Sequence, residues 1–186
     1  MAKIFLACCL LLSLNASALE LAGVQLADQV QVGNASLVLN GAAVRTKFFF
    51  KIYVAALYLP QKQTLGEDII ADEHEHRMAM HILFGLSSDR LYRGFYEAFE
   101  DCHTPAEMTA LDGQLKELRQ IFDTVKEVKP GDVITLDYLP ASGTLISVNG
   151  MARGTIAGAA FNRALLKIWL GKRPVQEDLK KGLLGG

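Results

Sequence analysis

Between Arg45 and Tyr53 the chain carries an arginine, two lysines and a tyrosine: Arg45, Lys47, Lys51 and Tyr53. Side chains alternate faces along a strand, which puts these four on one face and Phe48, Phe50, Ile52 and Val54 on the other. Three cations and a phenol on one face form either a solvated surface or the wall of a cavity. Such a cavity suits an anionic, partly aromatic or lipidic ligand. A guanidinium holds a carboxylate through two charge-assisted hydrogen bonds, and a phenol adds a third.

Other groups carry weaker signals. His74-Glu75-His76, after Asp72-Glu73, puts two imidazoles on one strand face, and His81 or His103 would be needed to complete a metal or haem site. An exposed polar edge explains the same residues more simply, and no HExxH, CxxC or closed zinc spacing is present. Cys102-His103 falls at a helix end, where the helix dipole does not favour a thiolate, so Cys102 reads as a buried structural cysteine. Asn149-Gly150 and Arg153-Gly154 match neither a phosphate loop nor a dinucleotide motif, and turn chemistry accounts for them. Trp169, at helical spacing from Leu165 and Leu166, reads as core. No metal or other cofactor is expected from these spacings.

The elements that must position these residues can be read from periodicity and breakers. Val30–Val32 and Leu37–Leu39 predict short strands, and Ala43–Leu59 predicts one long strand ended by Pro60. Leu65–Ala71 predicts a short helix and Arg77–Phe84 a further strand. Ser88 or Asp89 can cap a helix whose apolar residues are Leu91, Phe95, Ala98 and Phe99. Thr104-Pro105-Ala106-Glu107 is a capping box with proline at the first helical position, opening a helix with a Leu111, Leu115, Leu118, Phe122 stripe. Val133–Leu139 pairs with Thr144–Val148, and Asn149-Gly150 turns the chain into Met151–Ile156. Helices over Ala159–Leu170 and Pro174–Leu183 close the chain. Strands, helices, strands, helices is an α+β order with a largely antiparallel sheet and helices packed on one face.

The 186 residues carry 19 Lys plus Arg against 20 Asp plus Glu, a net charge of -1. That balance gives no reason to expect nucleic acid or an anionic membrane as the main partner. A hydrophobic share of 51% excludes disorder. Lys3, the apolar run Ile4–Leu14 and Ala16-Ser17-Ala18 predict a signal peptide over residues 1–18, cleaved after Ala18. A periplasmic or secreted location follows, with Cys102 the lone cysteine and no disulfide to staple the fold. No later apolar run reaches membrane length, so a soluble mature chain without an integral membrane segment is expected.

The run Gly41–Leu59 resembles the chalcone isomerase-like family, especially its bacterial exported branch. A second stretch, Phe161–Gly171 followed by Pro174-Val175 and Leu179-Lys180, looks like that family's last two helices. The resemblance covers nearly all of residues 19–186 and implies an open-faced β-sandwich: a curved antiparallel sheet, helices packed on it and a cleft between. It matches Arg45 to the arginine with which the plant enzymes polarise the chalcone carbonyl, across a stretch to Tyr53 that is shorter here. The family's fatty-acid-binding branch uses the corresponding arginine and a nearby tyrosine to hold a carboxylate. Tyr53 stands where the plant enzymes have threonine. The enzymes' tyrosine and asparagine fall near Gly94 and Asp101, flanked by Tyr92 and Tyr96, and their late-helix polar residue falls near Ile168.

These matches imply binding of a small amphipathic carboxylate, fatty-acid-like or aromatic, without catalysis. Arg45, Tyr53, Lys47, Tyr92 and Tyr96 are the expected ligand-binding residues. The alternatives are an isomerase or intramolecular lyase with Arg45 stabilising an enolate, a haem or tetrapyrrole binder, and a protein-interaction module without a ligand. One tension is physical. Arg45 and Tyr53 stand roughly 26 Å apart on a straight strand, so they converge only if the chain bends near Lys47–Phe49, where no Gly, Pro, Asn or Asp stands.

Overall fold

The computed structural model describes residues 19–186; the expected signal peptide and its cleavage site lie outside the described residues. The chain opens with strands β1 (Leu19–Leu21) and β2 (Val24–Leu26), a separate hairpin. Strands β3 (Gln29–Val32), β4 (Ala35–Lys47) and β5 (Phe50–Leu59) follow as an antiparallel meander. Helix α1 (Gly66–Ala71) leads to β6 (His76–Ile82) and the short β7 (Leu86–Ser87). Helices α2 (Ser88–Cys102), α3 (Pro105–Ala110) and α4 (Asp112–Asp123) come next, then β8 (Glu127–Val128), which pairs with β7. Strands β9 (Val133–Leu139), β10 (Gly143–Val148) and β11 (Met151–Ile156) precede helices α5 (Ala159–Leu170) and α6 (Glu177–Leu183).

The main sheet has seven strands in the order β11-β10-β9-β6-β5-β4-β3, antiparallel throughout, and it is curled. Its strands alternate between two cores, as a period of two dictates. Ala55, Leu57, Met78, Met80, Leu136 and Ile146 meet Phe99, Leu118, Phe122, Leu165 and Trp169 of the helices. Val54, Ala56, Tyr58 and Ala79 face away from the helices and pack with Leu26, Val32 and Leu37, so the β1–β2 hairpin covers part of that side. The α+β class, the antiparallel sheet and the helices on one face agree with the sequence reading.

Four local expectations need correction. Ala43–Leu59 is not one strand: the chain reverses at Phe48-Phe49, and β4 and β5 pair side by side, with Val44 opposite Val54. Phe48 takes a positive φ of 55°, a conformation usually left to glycine at the first central position of such turns, so no breaker marks the reversal. At the start of α2 the N-cap position is Ser87 and no side chain caps it; Ser88 Oγ instead donates to the Phe122 carbonyl at 2.6 Å, tying α2 to α4. The capping box at Thr104 and Glu107 is present, but its helix is α3 alone, and the chain restarts as α4 after Leu111. The last helix begins at Glu177, because Pro174–Gln176 is drawn along α5, with Val175 N–H bonded to the Ile168 carbonyl at 2.9 Å.

Candidate functional site

The β4–β5 reversal brings the charged strand residues together. Arg45 and Tyr53 become direct cross-strand partners, the closest relation two strand residues can have. The register shifts between Arg45 and Thr46, leaving Ile52 as an extra residue on β5. A bulge of this kind re-aims side chains locally. Here both Ile52 and Tyr53 border one cavity, where regular alternation would send them to opposite faces.

That cavity, about 370 Å³, lies between the end of the β4–β5 hairpin, α2 and α5. Its walls are apolar: Met80, Ile82, Leu91, Phe95, Ile168 and Trp169 among others. Its charged lining is four cations, Arg45, Lys47, Arg90 and Arg93, against the single carboxylate of Glu97. Lys47 Nζ lies 3.4 Å from Glu97 Oε2, an ion pair spanning β4 and α2. Arg45 donates to the Thr46 carbonyl and, at 3.2 Å, to Gln176 Oε1. Gln176 also accepts from the Thr46 N–H at 2.9 Å, so the residue just before α6 orients the guanidinium. No carboxylate pairs with Arg45 among the described residues, and a guanidinium has five donors to satisfy.

Tyr53 is packed into the helix-side core, where its hydroxyl accepts from Trp169 Nε1 at 3.0 Å. Burial pushes the phenol above its ordinary range, against the pull of the Trp169 N–H and the Arg45 charge. It therefore stays protonated at neutral pH and retains a proton to donate. A cationic fork and a neutral phenol beside an apolar hollow can hold an anionic head group with an apolar body.

Of the five expected ligand-binding residues, Arg45, Lys47 and Tyr53 line this cavity. Tyr92 and Tyr96 do not. They stand one turn apart on α2 with rings 6.0 Å from each other, and the Tyr92 ring meets Phe122 of α4 and carries the Arg119 guanidinium 5.0 Å above it. The cavity face of α2 is set by Arg90, Leu91, Gly94, Phe95 and Ala98, and the tyrosines fall on its flank. Sequence reasoning missed Arg90, Arg93 and Glu97, although their i, i+3, i+7 spacing placed them on one helix face. It also missed Gln176, whose role depends on where the chain lies after α5.

The histidines and the cysteine sit elsewhere. His74 is exposed and bonded to Asp72, whereas buried His76 uses both ring nitrogens, on the His74 carbonyl (3.1 Å) and Asn162 Oδ1 (3.1 Å). No group of three or more potential metal ligands is assembled among the described residues. Cys102 is half-buried, and burial pushes its thiol up to about 11, so it is not a thiolate near neutrality.

Residues 18–185 match the model of the chalcone isomerase-like family. The chain belongs to that family. Among solved structures it is similar to a fatty-acid binding protein of Arabidopsis thaliana, with a TM-score of 0.68 and 12% identity over 87% of this chain and 92% of that one. At that identity the likeness speaks for the fold. No curated protein matches the chain. Within this chalcone isomerase-like fold, Gly94 and Ile168 line the cavity close to where the resemblance puts polar groups of the plant enzymes. Asp101, the third such position, is exposed at the end of α2 and is not part of the lining.

Proposed function

We propose that this chain is an exported, non-catalytic binding protein for a small amphipathic carboxylate, fatty-acid-like or aromatic. One observation carries the reading: an apolar cavity whose charged lining is four cations to one carboxylate, with Arg45 and Tyr53 as cross-strand partners in its wall. Charge-assisted bonds from Arg45 hold the head group, Tyr53 adds a neutral donor, and the apolar wall takes the body. The likeness to a protein named for fatty-acid binding supports the ligand class. Gly94 and Ile168 supply no acid, base or polarising group, which favours binding over isomerisation. Export rests on Lys3, the Ile4–Leu14 run and Ala16-Ser17-Ala18.

Native mass spectrometry of the protein purified from its own host tests these points together. The expected mass is that of a chain beginning at Leu19 with a retained organic acid. A protein keeping Met1 would end the export reading, and a retained haem would replace the ligand. Stereoselective chalcone cyclisation that vanishes in Arg45→Ala would make the protein an isomerase instead.

A further inference from the structure

The end of the β4–β5 hairpin carries a feature the cavity does not use. Phe48, Phe49 and Phe50 are 87%, 100% and 55% exposed. Phe50 stacks obliquely on Phe84, centroids 5.1 Å apart, and the backbone N–H groups of Leu83 and Phe84 both bond to the Ile52 carbonyl. Two adjacent turns therefore present one aromatic cluster to solvent. Phe48 holds a positive φ there, which a bulky residue adopts at a cost. Phe48 and Phe49, almost fully exposed on this turn, bring the fold little packing, and such patches mark contact sites.

We infer that this tip docks the protein on an anionic lipid surface. Lys47 and Lys51 bracket the three phenylalanines, Arg90 and Arg93 stand at the neighbouring cavity lining, and Glu97 is the one carboxylate there. Lys51, Arg90 and Arg93 have no ion-pair partner among the described residues. Exposed aromatics flanked by lysines suit the headgroup region of an anionic bilayer. A second copy of the chain fits less well. The three side chains offer roughly 500 Å² between them, short of the roughly 800 Å² per partner of a stable protein interface. Lys47 belongs to both the tip and the cavity lining, so docking also brings the cavity to the lipid surface. Loading of the cavity from that surface would rest on the proposed ligand; docking does not.

Flotation of the purified protein with phosphatidylglycerol-containing vesicles, and with pure phosphatidylcholine vesicles, tests the inference. Binding is expected on the anionic vesicles, weaker on the neutral ones and weakened by high salt. Phe48→Ser and Phe49→Ser should each reduce partitioning about ten- to a hundred-fold, and Lys51→Ser about five-fold, with circular dichroism confirming the fold. A Phe49→Trp reporter should shift to shorter wavelength on vesicle addition. Wild-type binding unaffected by Phe49→Ser, or a dimer that this substitution dissociates, would overturn the inference. Octanoate titration separates it from the cavity reading. No vesicle binding with octanoate still bound overturns docking alone; vesicle binding without octanoate binding sustains docking and overturns the cavity reading alone.

Discussion

Arg45 is held by hydrogen bonds to the Thr46 carbonyl and Gln176 while lacking an anionic partner. A part-buried guanidinium in that state gains more from an incoming carboxylate than an exposed one, because it has already lost water. Arg45→Lys removes the planar two-point contact. Fatty-acid titration should show a loss of about 1.5–3 kcal/mol, ten- to a hundred-fold in affinity. Tyr53→Phe should cost less binding, about 0.5–1.5 kcal/mol. It should also lower stability, since the Trp169 Nε1–H loses its acceptor in the core. Equal affinity in wild type and both variants, with folding intact, would return Arg45 to a solvated surface.

Helix α6 reaches β4 through two residues without side chains. A Cβ on Gly41 would stand 2.2 Å from the Gly182 carbonyl oxygen, and one on Gly182 would stand 2.6 Å from the Ala43 Cβ. Beside them, buried Asn40 donates to the Leu183 carbonyl at 2.7 Å and to the Gln63 carbonyl at 2.9 Å, and accepts from the Gln63 N–H at 2.7 Å. One asparagine thus ties β4, the chain after β5 and the end of α6. This close packing also seats Gln176 against Arg45. Gly41→Ala meets backbone that cannot yield, so urea unfolding should show a loss of about 1–3 kcal/mol and a weaker ligand. Gly113→Ala, in α4 with nothing near the added Cβ, should instead stabilise by about 0.5–1 kcal/mol. A silent Gly41→Ala would refute the close approach of α6.

Across the whole molecule, acid should act through the histidines. Burial pushes His76, His81 and His103 below their ordinary range; Asn162 and the His74 carbonyl partly oppose it at His76, as the Phe99 carbonyl does at His103. A lowered folded pKa means that the unfolded chain takes up protons first. The stability these groups contribute is therefore present above about pH 6.5, their unfolded value, and drains away as pH falls below it. His74 works the other way, its imidazole raised by Asp72, but it is exposed and weakly coupled. Glu107 belongs to a lower window: the Thr104 N–H and Lys167 hold it at about 2, so its contribution begins to fall as pH drops below the ordinary carboxylate value of 4.5 and is gone once pH passes about 2. The unfolding free energy should thus decline between pH 7 and 5.5, with a shallower slope in His76→Gln. A flat profile there would show that the imidazoles remain solvated in the folded protein.

The sequence alone determined the type and order of the longer elements, because local signals decide those, though not every boundary. The capping box at Thr104, the Asn149-Gly150 turn and the Ala159–Leu170 periodicity each depend on a few neighbours, and all three are present. It also singled out Arg45, Lys47 and Tyr53, through charge and phenol clustered on a β-prone run. What it could not contain was their relation in space. The turn at Phe48-Phe49 has no breaker of its own and is held by pairing along β4 and β5, an energy spread over the whole ladder. The register of that pairing, with its bulge at Ile52, decides that Arg45 and Tyr53 are neighbours instead of far apart on one strand. The same holds for α2: its apolar stripe was legible, but only the packing of α4 and α5 against it turned Arg90 and Arg93 towards the cavity and Tyr92 and Tyr96 away. Local structure follows from short-range sterics and hydrogen bonds; a site made of residues from β4, β5, α2 and α5 exists only once long-range packing chooses the faces.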